Sequence, residues 1–253
     1  MLKLKFVLAA SVVLASMPAT TANAAISTFA QFSASSNARN VRWLRNGATS
    51  GSIYSTSTGT SASPGAALVR FEFLQPELAS IGVVSSRFNL FGSSVNAPAT
   101  FSSPNYTQVV QSGTFSFTNT TGFSFRNVFF AAGSNLLSGT FTDADIFGGG
   151  TSGSITDDSN TGTVVFTSDF LDFSETDERG FAFSLTSIAP MLAATPNRSL
   201  RSFRALAVGS FASEPAPTVS VVPEPEVWGL LVVGFGLVGL QVRRRARQSA
   251  VAA

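Results

Sequence analysis

The 253-residue chain contains no cysteine and no histidine. Without cysteine it has neither disulfides nor a thiolate nucleophile, and without histidine it has no Ser–His catalytic pair. The two absences also remove the side chains that most often bind zinc, copper and haem iron. Any metal bound here would be a hard cation held by oxygen atoms, for which Ca²⁺ is the natural candidate.

Lysine is nearly absent as well, because Lys3 and Lys5 are the only two and both lie at the N-terminus. Residues 25–222 contain ten arginines, no lysine, and twelve aspartates and glutamates, so their net charge is about −2. The charge of +2 on the whole chain therefore comes from its two ends and gives no reason to expect nucleic-acid binding. The missing lysines also exclude a Ser–Lys dyad and a Schiff base from this interval.

Residues 1–24 have the features of a cleavable signal peptide. Two lysines form a basic start, and residues 6–14 form an apolar run that is too short to span a bilayer of about 30 Å. Ala22 and Ala24 then supply the small side chains that a signal peptidase requires. We expect cleavage after Ala24.

Residues 25–211 have the composition and periodicity of an all-β extracellular domain. Apolar and polar residues alternate at residues 69–73, 114–118, 123–126 and 181–185, and polar turn-forming clusters separate these runs. Phenylalanine is the main large hydrophobe, with 24 in the chain. The sequence predicts an antiparallel sandwich or open barrel with a Phe-rich core. Residues 46–66, rich in Ser, Thr and Gly, are predicted to form a loop, and residues 212–222 a Pro-containing linker.

The C-terminal region combines a polar entry, an uncharged apolar segment and a basic end. Residues 227–242 would measure roughly 24 Å as a helix, which is short for a bilayer. Trp228 suits one interface of the membrane, and arginine side chains can reach the other. The positive-inside bias places the basic end in the cytoplasm and the β domain outside. The basic end consists of Arg243, Arg244, Arg245 and Arg247, followed by a tail at residues 248–253.

Residues 223–247 resemble the PEP-CTERM sorting domain in its Pro-Glu-Pro-x-x-Trp form, through Pro223, Glu224, Pro225 and Trp228. The match covers about a tenth of the chain and departs at Gly229, where the commonest version has Ala. The resemblance implies recognition by an exosortase, a membrane-embedded cysteine protease that cuts near the motif. It also implies a Gram-negative host that makes extracellular polysaccharide or biofilm. The alternative is an ordinary single-span anchor, which would stay attached.

These features predict an exported protein with a structural or adhesive role, not an enzyme. It would be anchored transiently in the inner membrane and then reside at the cell surface or outside the cell, in contact with exopolysaccharide. Signal peptidase, exosortase and the membrane are its expected partners, with no nucleic acid. The first alternative is a glycan-binding module, which Ca²⁺ could assist at Asp143 and Asp145 or at Asp157, Asp158 and Asn160.

A carboxylate-based glycoside hydrolase is the third hypothesis, because two carboxyl groups about 5–10 Å apart would suffice for it. The candidate carboxylates are Asp143, Asp145, Asp157, Asp158, Asp169, Asp172, Glu175, Asp177 and Glu178. Two basic clusters resemble glycan or nucleic-acid contacts, but we interpret them as solvated faces paired with the acidic turns. They are Arg39, Arg42, Trp43 and Arg45, and Arg198, Arg201 and Arg204.

Overall fold

The computed structural model describes residues 26–157 and 162–220. The signal-peptide residues Ala22 and Ala24, the sorting motif at Pro223–Trp228 and the arginine cluster lie outside these ranges. Within them, no helix has both the length and the apolar character needed to cross a bilayer. The predicted membrane helix at residues 227–242 also falls outside the described part of the chain.

Sixteen strands and one short 3-10 helix at Pro76–Ile81 make up the described fold. The strands are β1 (Ser27–Ala34), β2 (Val41–Arg45), β3 (Gly51–Ser55), β4 (Ala67–Phe73), β5 (Val83–Ser94), β6 (Thr100–Ser102), β7 (Asn105–Asn119), β8 (Phe123–Phe125), β9 (Val128–Phe130), β10 (Asn135–Gly149), β11 (Ser152–Asp157), β12 (Val164–Thr167), β13 (Leu171–Asp172), β14 (Glu178–Ala189), β15 (Phe203–Glu214) and β16 (Thr218–Val219).

The long strands pair antiparallel around a closed circuit. In order, β5 pairs with β7, β7 with β10, β10 with β11, β11 with β14, and β14 with β15. Two pairs of strands connect β15 back to β5 and so complete the circuit. β1 pairs with the C-terminal half of β15 and is joined to β5 through β4. β2 pairs with the N-terminal half of β15 and is joined to β5 through β3. The predicted antiparallel β-structure is confirmed, and closure removes the long free edges that a sandwich or open barrel would keep.

The strand β15 defines the length of the circuit and its two ends. Ser213 pairs with Ser27 at the start of β1, whereas Phe203 pairs with Trp43 of β2. The backbone N–H of Ser220 donates to the carbonyl of Phe170, beside the start of β14. The described chain therefore begins and ends at the same end of the circuit, which we call the terminal end. We call the opposite end, near Phe203, the far end.

Phenylalanine rings fill the interior, as the alternation predicts. Phe71 and Phe73 of β4 and Phe181 and Phe183 of β14 are buried, and the residues between them point outward. Full burial of a phenylalanine contributes about 1.5–3 kcal/mol, so these rings dominate the stability of the fold. The other buried phenylalanines are Phe29, Phe32, Phe88, Phe115, Phe117, Phe141, Phe166, Phe170, Phe173, Phe203 and Phe211.

The predicted loop at residues 46–66 is wrong in part, because it contains β3. Ile53 of this strand is fully buried, and the strand pairs with both β2 and β5. Gly51 faces the indole of Trp43 so closely that a Cβ atom there would overlap the ring. The glycine thus permits close packing in the strand, although in the sequence it contributes to a loop-like composition.

The interval 212–222, predicted as a linker, takes part in the fold up to Ser220. Strand β15 continues to Glu214, and β16 pairs with β13. Ser213 is buried and continues the alternation of buried and more exposed residues along β15. Pro215 and Pro217 fall between the two strands, where the ladder requires no N–H donor from them.

Replacement of Gly139 by alanine should destabilise the fold. Gly139 lies opposite Phe115 in the β7–β10 ladder, and its Cβ would overlap the Phe115 ring. We expect Gly139→Ala to lower the free energy of unfolding by about 1–3 kcal/mol, measured by urea denaturation. Gly65→Ala is the matched control, since its Cβ would make only ordinary contacts, at 3.5 Å, and the change should stay within about 0.5 kcal/mol. Equal effects of the two substitutions would contradict this account of the core.

Candidate functional site

The candidate carboxylates are spread over several strands. Asp143 and Asp145 lie on β10, and Asp157 ends β11. Asp169 accepts a hydrogen bond from the N–H of Asn135 at 2.7 Å, which fixes the start of β10. In residues 26–157 and 162–220, no three such groups come together in a way that would hold a metal ion. Asp158 and Asn160, part of one candidate Ca²⁺ set, lie outside the described residues.

Three carboxylates line a shallow depression of about 280 Å³ at the terminal end, between β12 and β14. They are Asp157, Asp177 and Glu178. One oxygen of Asp157 accepts the N–H of Phe181 at 2.9 Å, so this carboxylate anchors β14. The neighbouring Arg179 donates to the hydroxyl of Thr176 at 2.6 Å and to the carbonyl of Phe173 at 2.7 Å. These bonds give Asp157 and Arg179 structural roles in holding the backbone around the depression.

The pKa of Asp172 is shifted in the direction opposite to the one that a general acid needs. Hydrogen bonds from the backbone N–H and the side chain of Ser174 lower the pKa of Asp172 below its ordinary value of 3.8. The backbone bond measures 2.9 Å. A glycosidase acid needs a raised pKa, which keeps it protonated near neutrality. Asp172 is therefore a turn-stabilising carboxylate.

The first basic cluster does not form a stacking surface. Trp43 is fully buried, and its indole N–H donates to the carbonyl of Leu200 at 3.0 Å. Arg42 donates to the carbonyl of Ala62, and Arg204 of the second cluster donates to that of Thr60, each at 2.9 Å. These two arginines therefore fix the loop after β3 through its carbonyl groups, whereas we predicted that the clusters would pair with acidic turns.

A neutral, hydroxyl-rich surface covers the central part of the outside of β5, β7, β10 and β12, and Arg87 of β5 and Asp143 and Asp145 of β10 lie beyond it. Strand registers place outward-facing side chains in three rows, of which two cross all four strands and the third ends at Thr163, the residue before β12. None of the twelve residues is charged, and we call them the hydroxyl face. The rows are Asn89, Ser116, Ser138 and Thr167; Phe91, Thr114, Thr140 and Val165; and Ser93, Ser112, Thr142 and Thr163.

Regular strand geometry gives the hydroxyl face a fixed spacing. Neighbouring strands lie about 4.8 Å apart, and successive outward residues on one strand about 7 Å apart. The hydroxyls of Thr142 and Thr163 are hydrogen-bonded at 2.8 Å, and those of Ser93 and Ser112 at 3.3 Å. Phe91 is 51% exposed in the middle row, beside a depression of about 270 Å³. The face therefore presents hydroxyl, amide and aromatic groups without charge.

No protein-family model, no curated protein and no solved structure matches the chain.

The depressed pKa of Asp172 has a measurable consequence for stability. A carboxylate with a lowered folded-state pKa stabilises the fold above its unfolded pKa, and this contribution disappears as the pH falls through the folded value. We expect the side-chain NMR titration of Asp172 to have its midpoint below 3.8. Ser174→Ala removes the side-chain donor and keeps the backbone donor, so it should raise the midpoint only part of the way toward 3.8. A native midpoint at or above 3.8 would contradict the assignment.

Proposed function

We propose that the protein is exported from a Gram-negative cell, is sorted by a PEP-CTERM signal and acts as a structural or adhesive component of the extracellular matrix. One observation carries this proposal: Pro223, Glu224, Pro225 and Trp228 precede an uncharged apolar segment that ends in an arginine cluster. This order suits an exosortase substrate held briefly in the inner membrane. The product then resides at the cell surface or in the matrix.

The geometry of the β domain supports this route. Strand β1 begins at Ser27, three residues after the proposed signal-peptide cut, and β16 ends at Val219, four residues before Pro223. Both positions lie at the terminal end of the strand circuit. Both processing events would therefore act on short segments next to this end, and the rest of the domain would remain intact.

The hydroxyl face supports the structural or adhesive role. Its hydroxyl and amide groups can donate and accept hydrogen bonds, and its neutrality permits close approach of an uncharged polymer without a charge to desolvate. Three of the candidate carboxylates hold the backbone in place, since Asp157, Asp169 and Asp172 each accept a backbone N–H. We therefore propose no catalytic residue and no cofactor for this chain.

A glycan-binding module is the second candidate. It is favoured by Phe91, an exposed aromatic ring among the hydroxyls of the middle row. Aromatic faces together with a few hydrogen-bonding groups are typical of carbohydrate and other small-ligand sites. The two proposals differ in whether the polymer contact is distributed over the surface or confined to one site.

The intact mass of the protein recovered from its native cells tests the sorting proposal. We expect an N-terminus at Ala25 and a C-terminus near Pro223–Pro225 in the parent strain, and a retained tail when the exosortase is deleted. Glu224→Gln within the motif should block processing, whereas Glu226→Gln, at a variable position two residues away, should leave it unchanged. A mass that includes residues 228–253 in both strains would replace the proposal with a permanently anchored β domain.

A further inference from the structure

A groove of about 550 Å³ lies at the far end of the strand circuit, apart from the hydroxyl face. It lies between β6, the start of β7 and the segment that precedes β15. Its lining includes Thr100, Phe101, Tyr106, Thr195, Pro196 and Asn197, and no charged residue. The groove is thus framed by two aromatic rings and by neutral polar groups.

Phe101 is the most informative residue of this groove. It lies on β6 opposite Tyr106, and their ring centroids are 4.7 Å apart with 40° between the ring planes. Phe101 remains 60% exposed, although most of the phenylalanines of this domain are buried. Such a ring gives up most of the free energy that burial would provide. Its position on a supported strand makes it available for contact with a ligand.

The wall of the groove is held in place by a buried amide. Gln108 is fully buried, and its side-chain N–H groups donate to the hydroxyl of Ser94 at 2.9 Å and the carbonyl of Ala97 at 2.8 Å. Its carbonyl oxygen accepts the N–H of Leu200 at 3.1 Å. The N–H of Ala99 also donates to the carbonyl of Arg198, at 3.0 Å. The two walls are therefore joined before any ligand arrives, which lowers the entropic cost of binding.

The chemistry of the lining selects a class of ligand. A neutral lining offers no ion pair to phosphate, carboxylate or ammonium groups, which bind strongly where a charged partner is present. The exposed negative face of the Phe101 ring suits the C–H groups on one side of a sugar ring. Thr100, Thr195 and Asn197 supply donors and acceptors for the hydroxyl groups of the same sugar.

We propose that this groove binds a sugar ring of a neutral polysaccharide, with Phe101 as the stacking ring and Tyr106 packed against it as its support. The proposal rests on the extracellular location given above, because that is where the chain would meet such a polymer. The groove lies at the far end, opposite to Ser27 and Ser220. A domain held near Ser220 would thus direct Phe101 away from its point of attachment.

The test uses the protein purified from its native cells and two probes, the neutral and the anionic fractions of the extracellular polysaccharide of those cells. Affinity gel electrophoresis measures the dissociation constant for each fraction. We expect the native protein to bind the neutral fraction and Phe101→Ala to weaken this binding about tenfold or more. Phe129→Ala is the matched control, because Phe129 is 69% exposed on the β8–β9 hairpin at the terminal end. It should bind like the native protein.

Several outcomes would overturn the assignment. Equal binding by Phe101→Ala and the native protein would remove the groove as the site, and loss of binding in Phe91→Ala instead would transfer it to the hydroxyl face. Preference for the anionic fraction, or no binding to the neutral one, would exclude the proposed ligand class. A change in oligomeric size on Phe101→Ala without a change in affinity would show that the ring contacts a second copy of the chain. None of these results alters the mass test of the sorting signal, so the two proposals fail separately.

Discussion

Close packing of phenylalanine rings inside a closed strand circuit is the constraint on which the rest of the structure depends. Phe211 lies 5.2 Å from Phe115 and 5.7 Å from Phe183, measured between ring centroids, so rings from different strands meet in one cluster. Because the rings occupy so much of the interior, some residues that face them must be small. Glycines lie against the bulky rings where a Cβ would overlap them, as Gly139 does against Phe115 and Gly51 against Trp43.

Much of the fold follows from local alternation, and the remainder depends on pairing between distant segments. Residues 69–73 and 181–185 read as strands because a period of two places phenylalanines on one face. Strand β3 escaped prediction because Ile53 and Tyr54 are the only large apolar residues in an interval otherwise typical of a loop. Trp43 sits between arginines and looks like a surface residue in the sequence, yet β2 turns it inward. Its burial is decided by the neighbouring strands.

The hydroxyl face and the groove at Phe101 could likewise be predicted only in part, because they depend on local alternation and also on pairing between distant strands. Alternation identifies the wet side of β7, but the adjacency of β5, β7, β10 and β12 comes from registers that no local pattern encodes. Phe101 and Tyr106 carry no signal that separates them from core aromatics. Phe101 is exposed because, of the described strands, β6 pairs only with β7 at the far end, whereas Tyr106 beside it is partly buried and packs against the core. Exposure there is a property of the closed circuit.

The position of Ser27 and Ser220, at the end of the circuit opposite to Phe101, has a mechanical consequence. If the domain is held at Ser220 and loaded at Phe101, the force runs along the length of β15 and the strands beside it. In this direction the ladder bonds between β14 and β15 are loaded together in shear and cannot open one after another. Rupture would then require many hydrogen bonds to break at once. Such a domain would behave as a stiff link that transmits tension between its attachment point and a bound polymer.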